Sequence, residues 1–295
     1  MRSGFVSIVG RPNVGKSTLI NKIVNKKVAI TSDKVGTTRN LIYGIYNDSD
    51  TQIVFVDTPG ISKASSSLLD ILNKKAYQSM ENDLVLLVVD IASGFGKNDQ
   101  KILDKLKSDN KDVILLLNKI DLIDKEKLFE EILKLKDLYD FKEIIPISSL
   151  KGINVDDLIK TIKKYLKDDF KYFDDDMITN VSEKFMVGEL IREKVLNLTK
   201  EEVPHSVCCI VENMEFKRGS CYINGLIIVD RDNLKKIIIG KNGSMLKRIG
   251  SLARVDIEEL LGVKVYLELF VKTIDNWRNR DSVIKDLGLN DELDS

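Results

Sequence analysis

The chain has 295 residues, enough for about two domains at the usual ~150 residues each. Its 43% hydrophobic and 31% charged content describe an ordinary globular chain, and a formal net charge of zero argues neither for nor against a nucleic-acid partner. The single histidine, His205, excludes a histidine-rich metal site and a histidine-based triad. The three cysteines (Cys208, Cys209, Cys221) contain no C-x-x-C pair and no disulfide framework, which points to a reducing cytosol.

The first apolar run, Phe5–Val9, stops at Gly10, too short for a signal-peptide core or a membrane span. Further runs at Ile53–Val56, Leu84–Val89, Val113–Leu117 and Ile144–Ile147 are of strand length. Between several of them lie amphipathic stretches such as Leu128, Ile132, Leu135 and Leu138. This alternation predicts an α/β domain over residues 1–168, with a mostly parallel sheet and helices on both faces. Ligands bind such sheets at the carboxyl ends of the strands, where the informative residues fall.

Gly10-Arg11-Pro12-Asn13-Val14-Gly15-Lys16-Ser17 fits G-x-x-x-x-G-K-S between a strand and a helix, the context that distinguishes a phosphate-binding loop from a chance glycine turn. Backbone N–H groups of Gly10, Asn13, Val14, Gly15 and Thr18 would then face phosphate oxygens. Lys16 would reach the β- and γ-phosphates, and the Ser17 hydroxyl would ligate magnesium. Gly36-Thr37-Thr38-Arg39 follows; a threonine here can close over magnesium when a γ-phosphate is present, and Thr38 is preferred over Thr37.

Asp57-Thr58-Pro59-Gly60 ends the next apolar run. Asp57 suits a water-mediated magnesium contact, and the Gly60 N–H a γ-phosphate sensor. Ile61 stands where many GTPases carry a water-orienting glutamine, so slow intrinsic hydrolysis is expected. Asn118-Lys119-Ile120-Asp121 supplies a carboxylate able to accept from both guanine N1–H and its exocyclic amine, a donor pair that adenine lacks. Ser148, Ser149 and Leu150, after the next strand, would support the base through backbone N–H groups. The expected ligands are therefore GTP or GDP with Mg²⁺.

Residues 169–182 form the predicted linker, and the acidic run Asp174–Asp176 reads as a solvated connector. Residues 183–295 follow the order helix, strand, strand, helix, helix, strand, a smaller α+β domain. Helix is expected over Glu183–Leu198, strands near Val207–Glu215, Cys221–Val229 and Lys264–Lys272, and a long helix to Leu261. Gly240-Lys241-Asn242-Gly243 is a G-x-x-G turn, which in KH domains clamps single-stranded backbone. Between Arg231 and Arg254 there are seven basic residues (Arg231, Lys235, Lys236, Lys241, Lys247, Arg248, Arg254) against Asp232 alone. A solvated helix face with a glycine cap would share these features.

GRPNVGKST (10–18), GTTR (36–39), DTPGI (57–61), NKID (118–121) and SSLKGINVD (148–156), in this order, resemble the Era family of bacterial GTPases. The second half is similar to that family's type II KH domain in IREKV (191–195), IIIGKNG (237–243), LGVKVYLEL (261–269) and VKTIDNWR (271–278). The resemblance implies a GTPase that binds 16S ribosomal RNA near its 3′ end and assists assembly of the 30S subunit. It also implies a cytosolic monomer, sometimes associated peripherally with the membrane. Asn13 matches the asparagine of related GTPases that use potassium. In this sequence Asn242 replaces a glycine of the family's turn, and Ser62–Ser67, with Lys63 as its one basic residue and no proline, falls short of the basic and proline residues expected after DTPG.

Two readings from other classes compete. A trafficking GTPase predicts a lipidation motif, and the terminal Asn-Asp-Glu-Leu-Asp-Ser carries no prenylatable cysteine. A pure RNA-binding module predicts a damaged phosphate loop, and Lys16 and Ser17 are intact.

Overall fold

A computed structural model describes residues 1–61, 66–82 and 84–289. The elements of the first half are β1 (Arg2–Val9), α1 (Lys16–Val24), β2 (Ile42–Asn47), β3 (Thr51–Asp57), α2 (Ser67–Gln78), β4 (Leu84–Asp90), α3 (Lys97–Ser108), β5 (Asp112–Asn118), α4 (Lys125–Leu135), β6 (Glu143–Pro146) and α5 (Val155–Ile162). The six strands run in the order β2-β3-β1-β4-β5-β6. Only β2 is antiparallel to its neighbour.

Strand periodicity decides which helices the sheet recruits. Leu84, Leu86 and Val88 point into a core with Leu19 and Ile20 of α1 and Leu158, Ile159 and Ile162 of α5. Val85, Leu87 and Val89 point the other way, against Ala76, Ile102, Leu103, Leu106 and Leu135 of α2, α3 and α4. Both faces of β4 are therefore buried, which is why it reads as a continuous apolar run. The β2 strand has no such run: Tyr43, Tyr46 and Asn47 are partly exposed, as befits an edge, and it escapes a search for apolar runs.

The segment expected to be a solvated connector is instead pinned to the first sheet. Its acids, Asp174 to Asp176, are exposed, yet its backbone is held. Ile45 N–H donates to Ile178 O (2.9 Å), and Tyr43 N–H to the Asn180 side chain (2.8 Å). The buried Gln52 amide gives a hydrogen bond to Phe173 O and accepts from the Tyr172 and Phe173 N–H groups. An unpaired edge strand must be covered or paired, and this segment covers β2.

The chain forms two compact units: most of residues 1–180, and Val181 onward together with Ile30–Thr37 and residues 66–71. The second unit contains α6 (Glu183–Leu198), α7 (Val203–Ser206), β7 (Cys208–Lys217), β8 (Ser220–Val229), α8 (Asp232–Ile239), α9 (Ser244–Leu261), β9 (Lys264–Thr273) and α10 (Asp281–Asp286). Its sheet runs β7-β8-β9, with β7 antiparallel and β9 parallel to β8. Ser182 caps α6 by accepting from Phe185 N–H (3.2 Å). The core joins Leu190, Ile191 and Val195 of α6 to Ile223, Ile227 and Ile257, and Ile30 packs in the same cluster. Trp277 is fully buried and donates its indole N–H to Ser206 O (2.9 Å).

Candidate nucleotide site and nucleic-acid turn

The ends of β1, β3 and β5 converge because these strands are parallel and in register: Ile8 pairs with Asp57, and β4 links β1 to β5. The phosphate loop follows β1. Gly15 is left-handed at φ 101°, and a Cβ there would lie 2.3 Å from Asn118 Nδ2. Glycine is thus required twice, by conformation and by the close approach of Asn118.

Asn118 acts as a strut. Its Nδ2 donates to Val14 O (2.6 Å), while its Oδ1 accepts from Ser149 N–H (2.9 Å) and Ser149 Oγ (3.0 Å). The Asn-Lys-Ile-Asp and Ser-Ser-Leu-Lys motifs are thereby locked to the phosphate loop. Asp121 Oδ1 accepts from Ser148 Oγ (2.6 Å), and this hydrogen bond holds its carboxyl below the usual range. Ser149's N–H is committed to Asn118, and Lys151's to Ser148 Oγ (3.2 Å). Leu150 itself is 76% exposed at the loop tip. Lys119, left-handed at φ 68°, reaches Asp90 Oδ2 at 2.7 Å. Asp90 was not singled out in the sequence, although it ends β4 as Asp57 ends β3.

Lys16 is buried. Its ammonium donates to the carbonyls of Gly10 (3.1 Å) and Arg11 (2.9 Å) inside its own loop. Burial pushes its pKa down to about 8, with the Asp57 carboxylate acting in the opposite direction. Asn13 takes φ 65°, and Thr18 lies in the first turn of α1.

Asp57 is fully buried, and burial pushes its carboxyl up, against the pull of Lys16 and of hydrogen bonds from Ser17 and Thr38. Its Oδ2 accepts from Ser17 Oγ (2.6 Å) and lies 3.4 Å from Thr38 Oγ1. Its Oδ1 is buried with no hydrogen-bond partner among the described residues. Two hydroxyls and a carboxylate with an orphaned oxygen suit a hard cation that takes few protein ligands and completes its shell with phosphate and water. Among the described residues there is no group of three or more His, Cys, Asp or Glu side chains to hold a metal elsewhere.

The two threonines divide. Thr38 faces Ser17 (3.0 Å), whereas Thr37 gives its hydroxyl to Lys34 O (2.6 Å). Within the second unit, Thr37 O accepts from the buried Arg192 guanidinium, which also pairs with Glu189. In the sequence Arg192 stands only within the IREKV segment, with no role assigned to it, and Glu189 lies outside every motif. A Cβ on Gly60 would lie 2.7 Å from the Pro12 backbone. Ile61 is buried in the core beside Val9 and Val89, so its side chain serves packing. Residues 62–65 of the serine-rich stretch after it lie outside the described residues.

In the second unit the G-x-x-G turn links α8 to α9, with Gly240, Asn242 and Gly243 at φ 72°, 51° and 75°. Asparagine is among the side chains that best tolerate the left-handed region. A Cβ on Gly240 would meet Met245 at 2.8 Å, whereas one on Gly243 would meet nothing within 4 Å. Gly243 thus opens onto a cleft of about 390 Å³ lined by Lys247, Gly250, Arg254, Leu267 and Glu268. Lys247 lines this cleft; Arg231, Lys235, Lys241 and Arg248 do not. Arg231 instead occupies the position before α8 without a side-chain capping bond, and Arg248 is exposed. Gly250 and Arg254 were missed as cleft residues, although the spacing 243, 247, 250, 254 already marks one helix face.

Family models match in the same order: a 50S ribosome-binding GTPase over residues 5–119 and a KH domain over residues 202–278. Among solved structures, a point variant of Aquifex aeolicus Era bound to GDP·AlF4⁻ is 42% identical, with a TM-score of 0.94, covering 98% of this chain and 99% of that one. Era in complex with MgGDPNP and nucleotides 1506–1542 of 16S ribosomal RNA matches with the same identity, TM-score and coverage. With both domains matched in sequence order and nearly every residue covered at that identity, the chain belongs to the Era family of GTPases.

Proposed function

We propose that the protein is a GTP-hydrolysing switch that binds 16S ribosomal RNA near its 3′ end and assists maturation of the 30S subunit. The observation that carries this reading is the convergence of Ser17, Thr38 and Asp57, with Asp57 Oδ1 orphaned, in a chain that also presents a G-x-x-G turn over a basic cleft. The complexes of the Era structures, with GDP·AlF4⁻ and with MgGDPNP plus RNA, support both halves. We assign the nucleotide to a domain spanning 1–168 and the RNA to one spanning 183–295, joined through 169–182.

Phosphoryl transfer asks the protein mainly for positioning and for charge. Lys16 supplies a cation to the β- and γ-phosphates, and the loop N–H groups of residues 13–18 supply oriented dipoles. Gly60, against Pro12, offers its N–H to the γ-phosphate. Ser17 and Thr38, with Asp57 through water, would hold Mg²⁺, which neutralises charge on the phosphates when bound. Asp121 and the Leu150 N–H read guanine. Ile61 orients no water, so intrinsic turnover is slow, and potassium held near Asn13 would add positive charge. In the second domain Gly240 and Gly243 admit a sugar–phosphate backbone, and Lys247 neutralises phosphate.

No helix among the described residues is long and apolar enough to cross a membrane. A cytoplasmic monomer, with any membrane association peripheral, fits this reading. Two assays test it: GTP hydrolysis in potassium against sodium, and binding of a fragment from the 16S 3′ end against a scrambled one. Equal affinity for both fragments overturns the RNA assignment; a rate indifferent to the cation overturns the potassium site.

A further inference from the structure

Arg11, the second residue of the phosphate loop, turns its side chain toward the loop between β4 and α3. Its Nε donates to Asp99 Oδ1 (2.8 Å), and its Nη2 to Gly94 O (3.0 Å) and Ser93 Oγ (3.3 Å). Asp99 sits in the first turn of α3 and is fully buried. Its second oxygen accepts from Gly96 N–H (2.8 Å). The loop between β4 and α3 is held at its other end by Asp90, which accepts from Ala92 N–H and Ser93 N–H and pairs with Lys119.

A capping-box carboxylate at this third helical position needs only the Gly96 bond. Here the carboxylate is removed from water altogether, and burial pushes its pKa up. Such a group persists as an anion only when paired, and Arg11 is its charged partner. The other end of the same residue meets the reacting apparatus: the Arg11 carbonyl accepts from Lys16 Nζ at 2.9 Å. A planar guanidinium fixed by three acceptors leaves residue 11 little freedom, and with it the bend from which the cradling amides spring.

We infer that Asp99 is a positioning residue for the nucleotide site, holding the phosphate loop in its binding geometry through Arg11. The inference rests on the GTP-site reading above. Loosening the loop weakens contacts common to GDP and GTP, so both nucleotides are held less tightly.

The test is the dissociation rate of a fluorescent mant-GDP, measured from preformed complexes of the full chain so that only folded protein contributes. It is run on the wild type, Asp99→Asn, Arg11→Met and the double variant, beside melting temperature. Each single variant is expected to speed release about tenfold, the scale of one lost charge-assisted hydrogen bond. The double variant is expected to be no faster than either single, because both break one connection. A lowered melting temperature with unchanged release in Asp99→Asn reduces Asp99 to a helix cap and overturns the inference. So do additive effects in the double variant. Failure of the wild type to bind mant-GDP would instead overturn the nucleotide site itself.

Discussion

Ser17 Oγ lies 2.6 Å from Asp57 Oδ2, although one residue lies in the first turn of α1 and the other closes β3. Parallel pairing of β1 with β3 brings them together, and Thr38 completes the group at 3.0 Å from Ser17. Thr37, its neighbour, has its hydroxyl engaged by Lys34 O. Thr38→Ala should therefore slow single-turnover GTP hydrolysis by roughly tenfold to a hundredfold, the usual scale for disturbing a metal shell. Thr37→Ala should change it much less. Equal losses would show that the site does not distinguish the two hydroxyls.

Lys16 gives a pH dependence of defined sign. Its pKa is pushed down to about 8 by burial, so the free protein loses this charge as pH rises through that value. Bound phosphates favour the ammonium and raise its pKa, so binding takes up a proton wherever the free form is neutral. Nucleotide affinity should fall as pH rises through about 8, with roughly half a proton taken up per nucleotide at that midpoint. Calorimetry in buffers of differing ionisation enthalpy measures this uptake. Its absence in the wild type would show that Lys16 does not change protonation on binding, and its persistence in Lys16→Ala would assign the uptake to another group.

The candidate nucleotide site is legible in the sequence because a phosphate-loop motif is local. Gly10 to Thr18 is one strand–loop–helix, and its motif contains most of its own contacts. Asp57 and Asn118 were legible because they end strands whose apolar runs are unmistakable. What escaped depends on tertiary neighbours. Asn118 reads as part of a guanine motif, yet its side chain ties Val14 to Ser149. Asp99 looks like one more acid in a polar helix start and is fully buried. The Asp174–Asp176 run was correctly solvated at its side chains, but a charge run carries no sign that the backbone around it pairs with the β2 edge. In the second unit the G-x-x-G turn was visible, whereas which lysines face its cleft depends on helix phase.

The proposed guanine selection would rest on Asp121, whose carboxylate accepts from Ser148 Oγ. Asp121→Asn replaces one acceptor oxygen by a donor, which suits the 2-oxo group of xanthine and opposes the 2-amino group of guanine. Sites built on such hydrogen bonds discriminate by about 10⁴–10⁵. The variant should lose GTP affinity by at least roughly a hundredfold and gain XTP binding, with Asp57 and Lys16 chemistry intact. Competition among GTP, ATP and XTP decides; wild-type affinity for ATP equal to that for GTP sinks the assignment.

RNA binding is predicted to turn on Gly243. Its φ of 75° and the empty space where a Cβ would stand leave it exposed to an approaching backbone beside Lys247 and Arg254. Gly243→Asp places a side chain and a negative charge at that point, so affinity for a 16S 3′-end fragment should collapse while GTP affinity is kept. Lys247→Ala and Arg254→Ala should each weaken binding less and lower the salt slope by roughly one unit, as loss of a single phosphate contact does. Lys241 and Arg248, outside the cleft, should then matter less than Lys247. If the turn only joins two helices, Gly243→Asp strains a left-handed residue, and melting temperature and RNA affinity fall together while the basic substitutions change nothing. Melting temperature measured beside RNA affinity separates these outcomes. A folded Gly243→Asp protein with unchanged RNA affinity would remove the clamp and, with it, the RNA-binding role of the second domain.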